Sequence, residues 1–171
     1  LGDRFTVADA SAYGQLSMNL VDPTSAATLE QYAPRTFRWL LAIREGGHRD
    51  SAGELVVSPA LQPLLAIIMK TFAPLMVQNE RACMRAFEAG ETLFNEAAFD
   101  AGVALYDGEL MGHPFRSVVK TFQVRVWREL CGQWRGLDEA ARGELEQILP
   151  DAHLLQGSDE APGLTSWSGR R

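Results

Sequence analysis

The sequence has few of the residues from which common reaction centres are built. Its 171 residues include two cysteines and three histidines. Cys83 and Cys131 form no CxxC pair, and His48, His113 and His153 lack the spacing of zinc ligands. Nucleophile elbows, HExxH motifs and phosphate-binding glycine loops are missing as well. We therefore expect no metal site and no catalytic residue in this chain, and we interpret both cysteines as small core residues.

Positive charge is also scarce. The chain has 16 Lys and Arg against 22 Asp and Glu, which gives a net charge of -6. Nucleic acids and anionic membrane surfaces attract a basic face, so we expect neither as a partner. The longest apolar run, residues 60–69, contains Gln62 and Pro63 and is too short to span a bilayer.

The start of the chain carries no signal peptide. Together with the unpaired cysteines, which are typical of a reducing compartment, this predicts a cytoplasmic protein. The first residue is Leu1 rather than Met. We interpret the chain as a fragment or a processed product.

The sequence does have the composition of a globular protein, with 46% hydrophobic and 22% charged residues. Apolar spacing predicts an all-α fold in one domain over residues 1–150, followed by a flexible tail over 151–171. A long helical region should be kinked or broken at Pro63 and Pro74. The predicted helical stretches cover about residues 7–20, 34–44, 58–87, 95–106, 121–134 and 137–149.

Two segments between these stretches need separate comment. Asn95 is predicted to cap a helix, with Phe94 and Phe99 placed as a hydrophobic staple. Residues 104–119 contain Asp107-Gly108 and several β-branched residues, and a short β-hairpin is about as well supported as an interrupted helix. Both alternatives stay open at the level of the sequence.

Apolar side chains on two later helical stretches are candidates for either core or pocket. Met69, Met76, Met84 and Phe72 fit an adaptable apolar pocket, although a core position is the more frequent use of such residues. In the stretch 121–134, one apolar face lies beside another. The first carries Phe122, Val126 and Leu130, and the second carries Trp127, Cys131 and Trp134.

The best-defined motif is "GDRFTVADAS" at residues 2–11. Thr6 is a good N-cap, and Asp9 is placed to accept a hydrogen bond from the backbone N–H of Thr6. This is a capping box with Asp in the usual position of Glu, and Phe5 precedes it where a staple residue belongs. We interpret Phe5, Thr6 and Asp9 as structural residues that begin a helix.

This motif, with the stretch that follows it, resembles the C-terminal helical domain of bacterial cytosolic glutathione S-transferases. In that family a Gly-rich turn leads into Ser/Thr-x-x-Asp, which Gly2, Thr6 and Asp9 match here. The "VDPTS" turn and "YAPRTFRWL", with Pro34 and Trp39, are similar too, and so is "GHPFRSVVKTFQVRVWREL". The resemblance covers roughly residues 2–150.

The resemblance implies a helical bundle that is incomplete at its N-terminus. Glutathione, the co-substrate of the family, binds a thioredoxin-like domain that these residues do not contain. The resemblance therefore implies that this chain supplies one wall of the pocket for a hydrophobic electrophile, and by position Tyr13 and Met18 approach that pocket. It also implies a homodimer, since family members are commonly dimers. The alternative is a non-enzymatic helical scaffold or protein-interaction module of the same fold.

Overall fold

The computed structural model describes residues 4–49, 52–53, 59 and 61–157. The chain forms two compact units, Leu1–Leu61 and Gln62–Arg171. Helices make up most of the described part of both units, which confirms the mainly helical character. A small two-stranded sheet in the second unit is the exception to it.

The first unit is built from short helices. In chain order its described elements are α1 (Val7–Leu16), a 3-10 helix (Ser17–Leu20), α2 (Pro23–Tyr32) and α3 (Pro34–Arg44). Helix α2 lies outside the predicted helical stretches, which end the first helix at about residue 20 and resume at residue 34. The dipeptide Asp22-Pro23 begins this helix: Asp22 Oδ1 accepts the N–H of Ser25 at 2.7 Å. Pro23 occupies the first helical position, where its missing N–H has no cost.

The second unit combines one long helix with a hairpin and shorter helices. Its elements are α4 (Leu61–Glu88), α5 (Asn95–Ala101), β1 (Leu105–Leu110), β2 (His113–Val118), α6 (Thr121–Arg135), α7 (Glu139–Glu146) and a second 3-10 helix (Ala152–Gln156). Asp138 caps α7, with Oδ1 accepting the N–H of Ala141 at 2.8 Å.

Helix α4 is continuous, so the break expected at its prolines does not occur. Pro63 lies in the first turn, where backbone N–H groups have no helical partner, and Pro74 removes one hydrogen bond from a helix of 28 residues. The apolar segment is consequently longer than the ten-residue run suggested. By length and composition alone α4 is able to cross a membrane, with a mean hydropathy of 1.3 over its most apolar window.

The segment 104–119 is a β-hairpin, which settles the choice that the sequence left open. Strands β1 and β2 pair antiparallel, with Leu110 opposite His113. The loop is therefore two residues, Met111 and Gly112, with φ values of 52° and 79°. Two positive φ values in a two-residue loop match a type I′ turn, whose twist suits a hairpin.

Two clusters of buried side chains form the core of the second unit. The first joins α4, α6 and the second 3-10 helix through Met69, Ala73, Met76, Trp127, Cys131, Trp134, Ala152 and Leu155. The second joins α4 to the hairpin region through Ala82, Cys83, Ala86, Phe94, Tyr106, Val119 and Val124. Met69, Met76 and both cysteines are thus core residues.

Two further expectations need correction. Asn95 does not cap its own helix, because its side chain bonds Thr121 at the start of α6, with Oδ1 accepting the Thr121 N–H at 3.1 Å. The staple is absent too, since Phe94 is buried and Phe99 is exposed. Of the segment predicted as a tail, residues Ala152–Gln156 form the second 3-10 helix, in which Ala152 and Leu155 are buried. Residues 158–171 of that tail lie outside the described residues.

Candidate functional site

The capping box at the head of α1 is the motif that carries the family resemblance. Thr6 Oγ1 accepts the N–H of Asp9 at 3.3 Å, and Asp9 Oδ2 accepts the N–H of Thr6 at 3.0 Å. The Thr6 hydroxyl also donates to Asp9 Oδ2 at 2.7 Å. These hydrogen bonds satisfy backbone donors that the first turn of a helix otherwise leaves unpaired.

Asp9 is the most buried residue of α1, with 2% of its surface exposed. Burial of its carboxyl group opposes ionisation, but hydrogen bonds from the hydroxyl and N–H of Thr6 favour the carboxylate, and the pKa of Asp9 is lowered overall. A buried carboxylate that is already satisfied by local donors is poorly suited to act as a general base. Its geometry is that of a helix cap.

Phe5 and His48 pack together beside the cap. Their ring centroids are 4.8 Å apart. His48 Nδ1 also lies 3.2 Å from the carbonyl oxygen of Ile43, within hydrogen-bond distance. Phe5 thus contacts a histidine beyond the end of α3.

Tyr13 and Met18, the residues predicted to approach an electrophile, differ in their surroundings. Tyr13 is half-buried and meets Trp39 of α3 edge-on, with ring centroids 6.5 Å apart. Met18 lies on the first 3-10 helix and is 71% exposed. Leu16 and Val21 on either side of it are exposed too. The end of α1 and the 3-10 helix that follows it therefore present apolar side chains at the surface.

A shallow cavity of about 270 Å³ lies next to this segment, beside α2. Its lining includes Asn19, Thr24, Ser25, Thr28 and Tyr32. Typical ligand pockets measure about 300–1,000 Å³ and are enclosed by apolar side chains. This cavity is smaller and rich in hydroxyl groups, and neither Tyr13 nor Met18 lines it.

A second small cavity, of about 220 Å³, lies between the end of α4 and β1. Alanines 82, 86 and 89 form much of its lining, with Arg85 and Tyr106 beside them. Burial raises the pKa of the Tyr106 phenol, while a hydrogen bond with Ser117 lowers it to a lesser extent. The phenol therefore stays protonated at neutral pH.

The two cysteines are unsuited to nucleophilic chemistry. Burial raises the pKa of the Cys83 thiol to about 11, with Arg128 lowering it and Glu80 raising it further. Burial likewise raises the pKa of the Cys131 thiol to about 11. Since the thiolate is the reactive form, both side chains are inert at neutral pH, in agreement with their assignment to the core.

No group of three or more His, Cys, Asp or Glu side chains that is able to hold a metal ion occurs among the described residues. His113 and His153 are exposed in the second unit, the first on β2 and the second on the last 3-10 helix. They belong to different elements than His48 of the first unit.

The exposed apolar surface of α6 in the second unit is not among the predicted site residues. Helix α6 carries two adjacent apolar faces, and the structure buries the one with Trp127 while the one with Val126 is exposed. The signal was present in the sequence: an apolar arc that covers two faces of one helix is wider than a single core contact needs.

No family model, curated protein or solved structure matches the chain.

Proposed function

We propose that this chain is the helical, electrophile-pocket part of a glutathione S-transferase-like protein. In such a protein, a glutathione thiolate attacks an electrophilic carbon, a C–S bond forms and the leaving group departs with the bonding electron pair. Alignment of thiolate and acceptor supplies much of the rate. The role of this chain is to hold the hydrophobic acceptor, while glutathione binds a thioredoxin-like domain outside these residues.

The observation that supports the proposal is the capping box itself. Thr6 and Asp9, which match the family motif, make the reciprocal hydrogen bonds that the motif requires. The exposed apolar surface around Met18 then lies at the far end of the same helical segment. An exposed thioether is well suited to contact acceptors of varied shape, because methionine is flexible and polarisable.

A direct test uses dinitrobenzene, an acceptor analogue without a leaving group, and follows the quenching of tryptophan fluorescence. We expect Met18→Lys to weaken binding by about tenfold, since a charge enters an apolar contact. Met111 is the matched control, because it is 70% exposed against 71% for Met18 and lies on the hairpin turn. Equal effects of Met18→Lys and Met111→Lys, or no binding by the unaltered chain, would contradict the proposal.

The assignment of the glutathione site to a domain outside these residues has its own test. Calorimetric titration of the chain with glutathione is expected to give no saturable binding below millimolar concentration. Tight binding of glutathione would show that the thiol site lies in this chain. Because this titration does not involve Met18, it separates a wrong acceptor surface from a wrong assignment of the glutathione site.

The alternative, a non-enzymatic interaction module, is favoured by a different observation. The second unit exposes several large apolar side chains on α4 and α6. A surface of this kind is typical of protein contacts and requires no chemistry at the capping-box segment.

A further inference from the structure

Two stripes of exposed apolar side chains run along α4 and α6. On each helix they recur at every fourth residue, so that they lie along one line of the helix surface. Their exposed fractions range from 38% to 63%. The stripe on α4 consists of Leu64, Ile68 and Phe72, and the stripe on α6 consists of Phe122, Val126 and Leu130.

The two helices run antiparallel. Phe72 of α4 meets Trp127 of α6, with ring centroids 6.3 Å apart. Asn79, seven residues after Phe72, forms hydrogen bonds with Lys120, seven residues before Trp127. A step forward on α4 is therefore a step back on α6. An ion pair between Glu80 and Arg128, with Nε and Oε1 2.6 Å apart, also holds the helices together.

The stripes lie on the same side of this pair. Ile68 and Phe72 each precede a buried residue of α4, and Val126 and Leu130 each precede a buried residue of α6. On both helices, each of these stripe residues comes one position before a core residue. The stripe therefore lies about 100° around the helix axis from the core face, in the same rotational sense on both helices. In an antiparallel pair, equal turns in the same sense place both stripes on one side. We call the six residues the α4–α6 face.

We propose that the α4–α6 face is the docking surface for a second copy of this chain, packed two-fold so that each helix lies antiparallel to its own copy. The family resemblance implies a homodimer but assigns no surface to it; the proposal assigns that surface and uses no residue of the capping-box segment. Taking about 170 Å² as the full area of a large apolar side chain, the exposed fractions amount to roughly 450 Å² of apolar surface. A standard interface buries about 800 Å² per partner, of which slightly over half, again roughly 450 Å², is apolar.

Charges beside the stripe on α6 fit the same arrangement. Arg125 and Glu129 are exposed one turn apart along one side of that stripe, and the Arg125 guanidinium lies 5.1 Å from the ring centroid of Phe122. When α6 packs antiparallel on α6 of the second copy, the two charged residues of the copy follow each other in the opposite direction along the interface. Arg125 of each chain then faces Glu129 of the other, as an isologous contact requires.

The same charges argue against a lipid membrane as the partner of the α4–α6 face, although α4 is apolar enough to bind a membrane. Only 17% of its most apolar window is buried inside the molecule. An interfacial helix is typically flanked by lysine and arginine that bind anionic lipids. Here the margin carries Glu129 as well as Arg125, and the chain has a net charge of -6.

The main experiment is sedimentation equilibrium of the full chain over a range of concentrations. We expect a dimer, and we expect Val126→Arg and Phe72→Arg each to raise its dissociation constant at least tenfold. Phe99→Arg is the matched control, because Phe99 is 65% exposed on α5 of the same unit but is not part of the α4–α6 face. A monomeric wild-type chain, or equal effects of the face and control variants, would overturn the proposal.

Charge reversal tests the antiparallel packing. Arg125→Glu and Glu129→Arg are each expected to weaken the dimer, and the double variant to restore it to within about threefold, because the facing charges are again opposite. Circular dichroism verifies that each variant is folded. Absence of restoration would overturn the two-fold arrangement. Flotation with vesicles of phosphatidylcholine and phosphatidylglycerol covers the lipid alternative, since a monomer that binds these vesicles through the face would refute the dimer.

Discussion

Asn79 of α4 holds both backbone groups of Lys120, the residue that connects the hairpin to α6. Its Oδ1 accepts the Lys120 N–H at 2.9 Å, and its Nδ2 donates to the Lys120 carbonyl oxygen at 3.0 Å. Asn79 is almost completely buried. The next residue of the chain is held similarly, since Asn95 Oδ1 accepts the Thr121 N–H. Two side-chain amides therefore replace the backbone partners that the start of α6 lacks.

Asn79→Ala is expected to destabilise the chain by about 1–3 kcal/mol, because the Lys120 N–H loses its side-chain partner. The Lys120 carbonyl oxygen is less affected, since it also accepts from the N–H of Val124. Gln78→Ala is the matched control: Gln78 bonds both backbone groups of Glu109 in the same way, but at an exposed position. Urea unfolding followed by circular dichroism should give the larger loss for Asn79→Ala, and the reverse order would contradict this account.

Asp9→Ala is expected to lower the free energy of unfolding by about 0.5–2 kcal/mol, as the loss of a helix cap does. The binding of dinitrobenzene per folded molecule should stay nearly unchanged. Thermal unfolding and the fluorescence titration measure the two quantities. Lost binding at unchanged stability would show that Asp9 has a functional role.

The contribution of the Asp9 carboxylate should also depend on pH. Its pKa in the folded chain is lowered from the ordinary value of 3.8. A group of this kind stabilises the fold fully above its unfolded pKa, and the stabilisation is lost as the pH falls through the folded pKa. The stability difference between wild type and Asp9→Ala should thus be constant from neutral pH to about pH 5 and shrink below about pH 4. A constant difference throughout would refute this.

The two buried thiols predict a loss of stability at alkaline pH. Their pKa values rise from 9.0 to about 11 on folding. Between these values the unfolded chain releases the thiol protons while the folded chain retains them, so the free energy of unfolding falls as the pH rises. Cys83→Ala and Cys131→Ala should each reduce that slope relative to wild type. At neutral pH, alkylation by iodoacetamide should be at least a hundredfold slower than for a free thiol of ordinary pKa.

Removal of one partner of the Glu80–Arg128 pair should destabilise the chain more than removal of both. Glu80 is buried and Arg128 is mostly buried, so Glu80→Leu leaves a poorly solvated cation, at a cost of roughly 2–4 kcal/mol. The double variant Glu80→Leu with Arg128→Met removes both charges and should recover part of that loss. Chemical unfolding of the three variants gives the coupling energy, and strictly additive losses would show that the ion pair is energetically unimportant.

Local sequence patterns were sufficient to predict several secondary-structure elements. Thr6 and Asp9 specify the start of α1, because a capping box involves residues only three positions apart. The hairpin was recognised as one of two alternatives, since the turn at Met111 and Gly112 is a local feature. Helix α2 was missed, because Asp22-Pro23 is equally typical of a helix stop and a helix start.

Local sequence patterns predicted less of the candidate site than of the fold. Tyr13 was placed near a pocket by resemblance alone, and only the structure shows that it packs against Trp39. The two apolar faces of α6 look alike in the sequence. Which of them is buried depends on where α4 lies, and that is decided by contacts between residues about 40 positions apart, such as Asn79 with Lys120.

The sequence by itself determined the helical class of the chain and the capped start of α1. These follow from hydrogen bonds and apolar spacing within a few residues. The tertiary structure decided that Pro63 and Pro74 leave α4 unbroken, that Asn95 serves α6 instead of its own helix, and that Val126 stays exposed while Trp127 is buried. Such outcomes depend on which distant surfaces meet, because packing between helices can outweigh local preferences of about 1–3 kcal/mol.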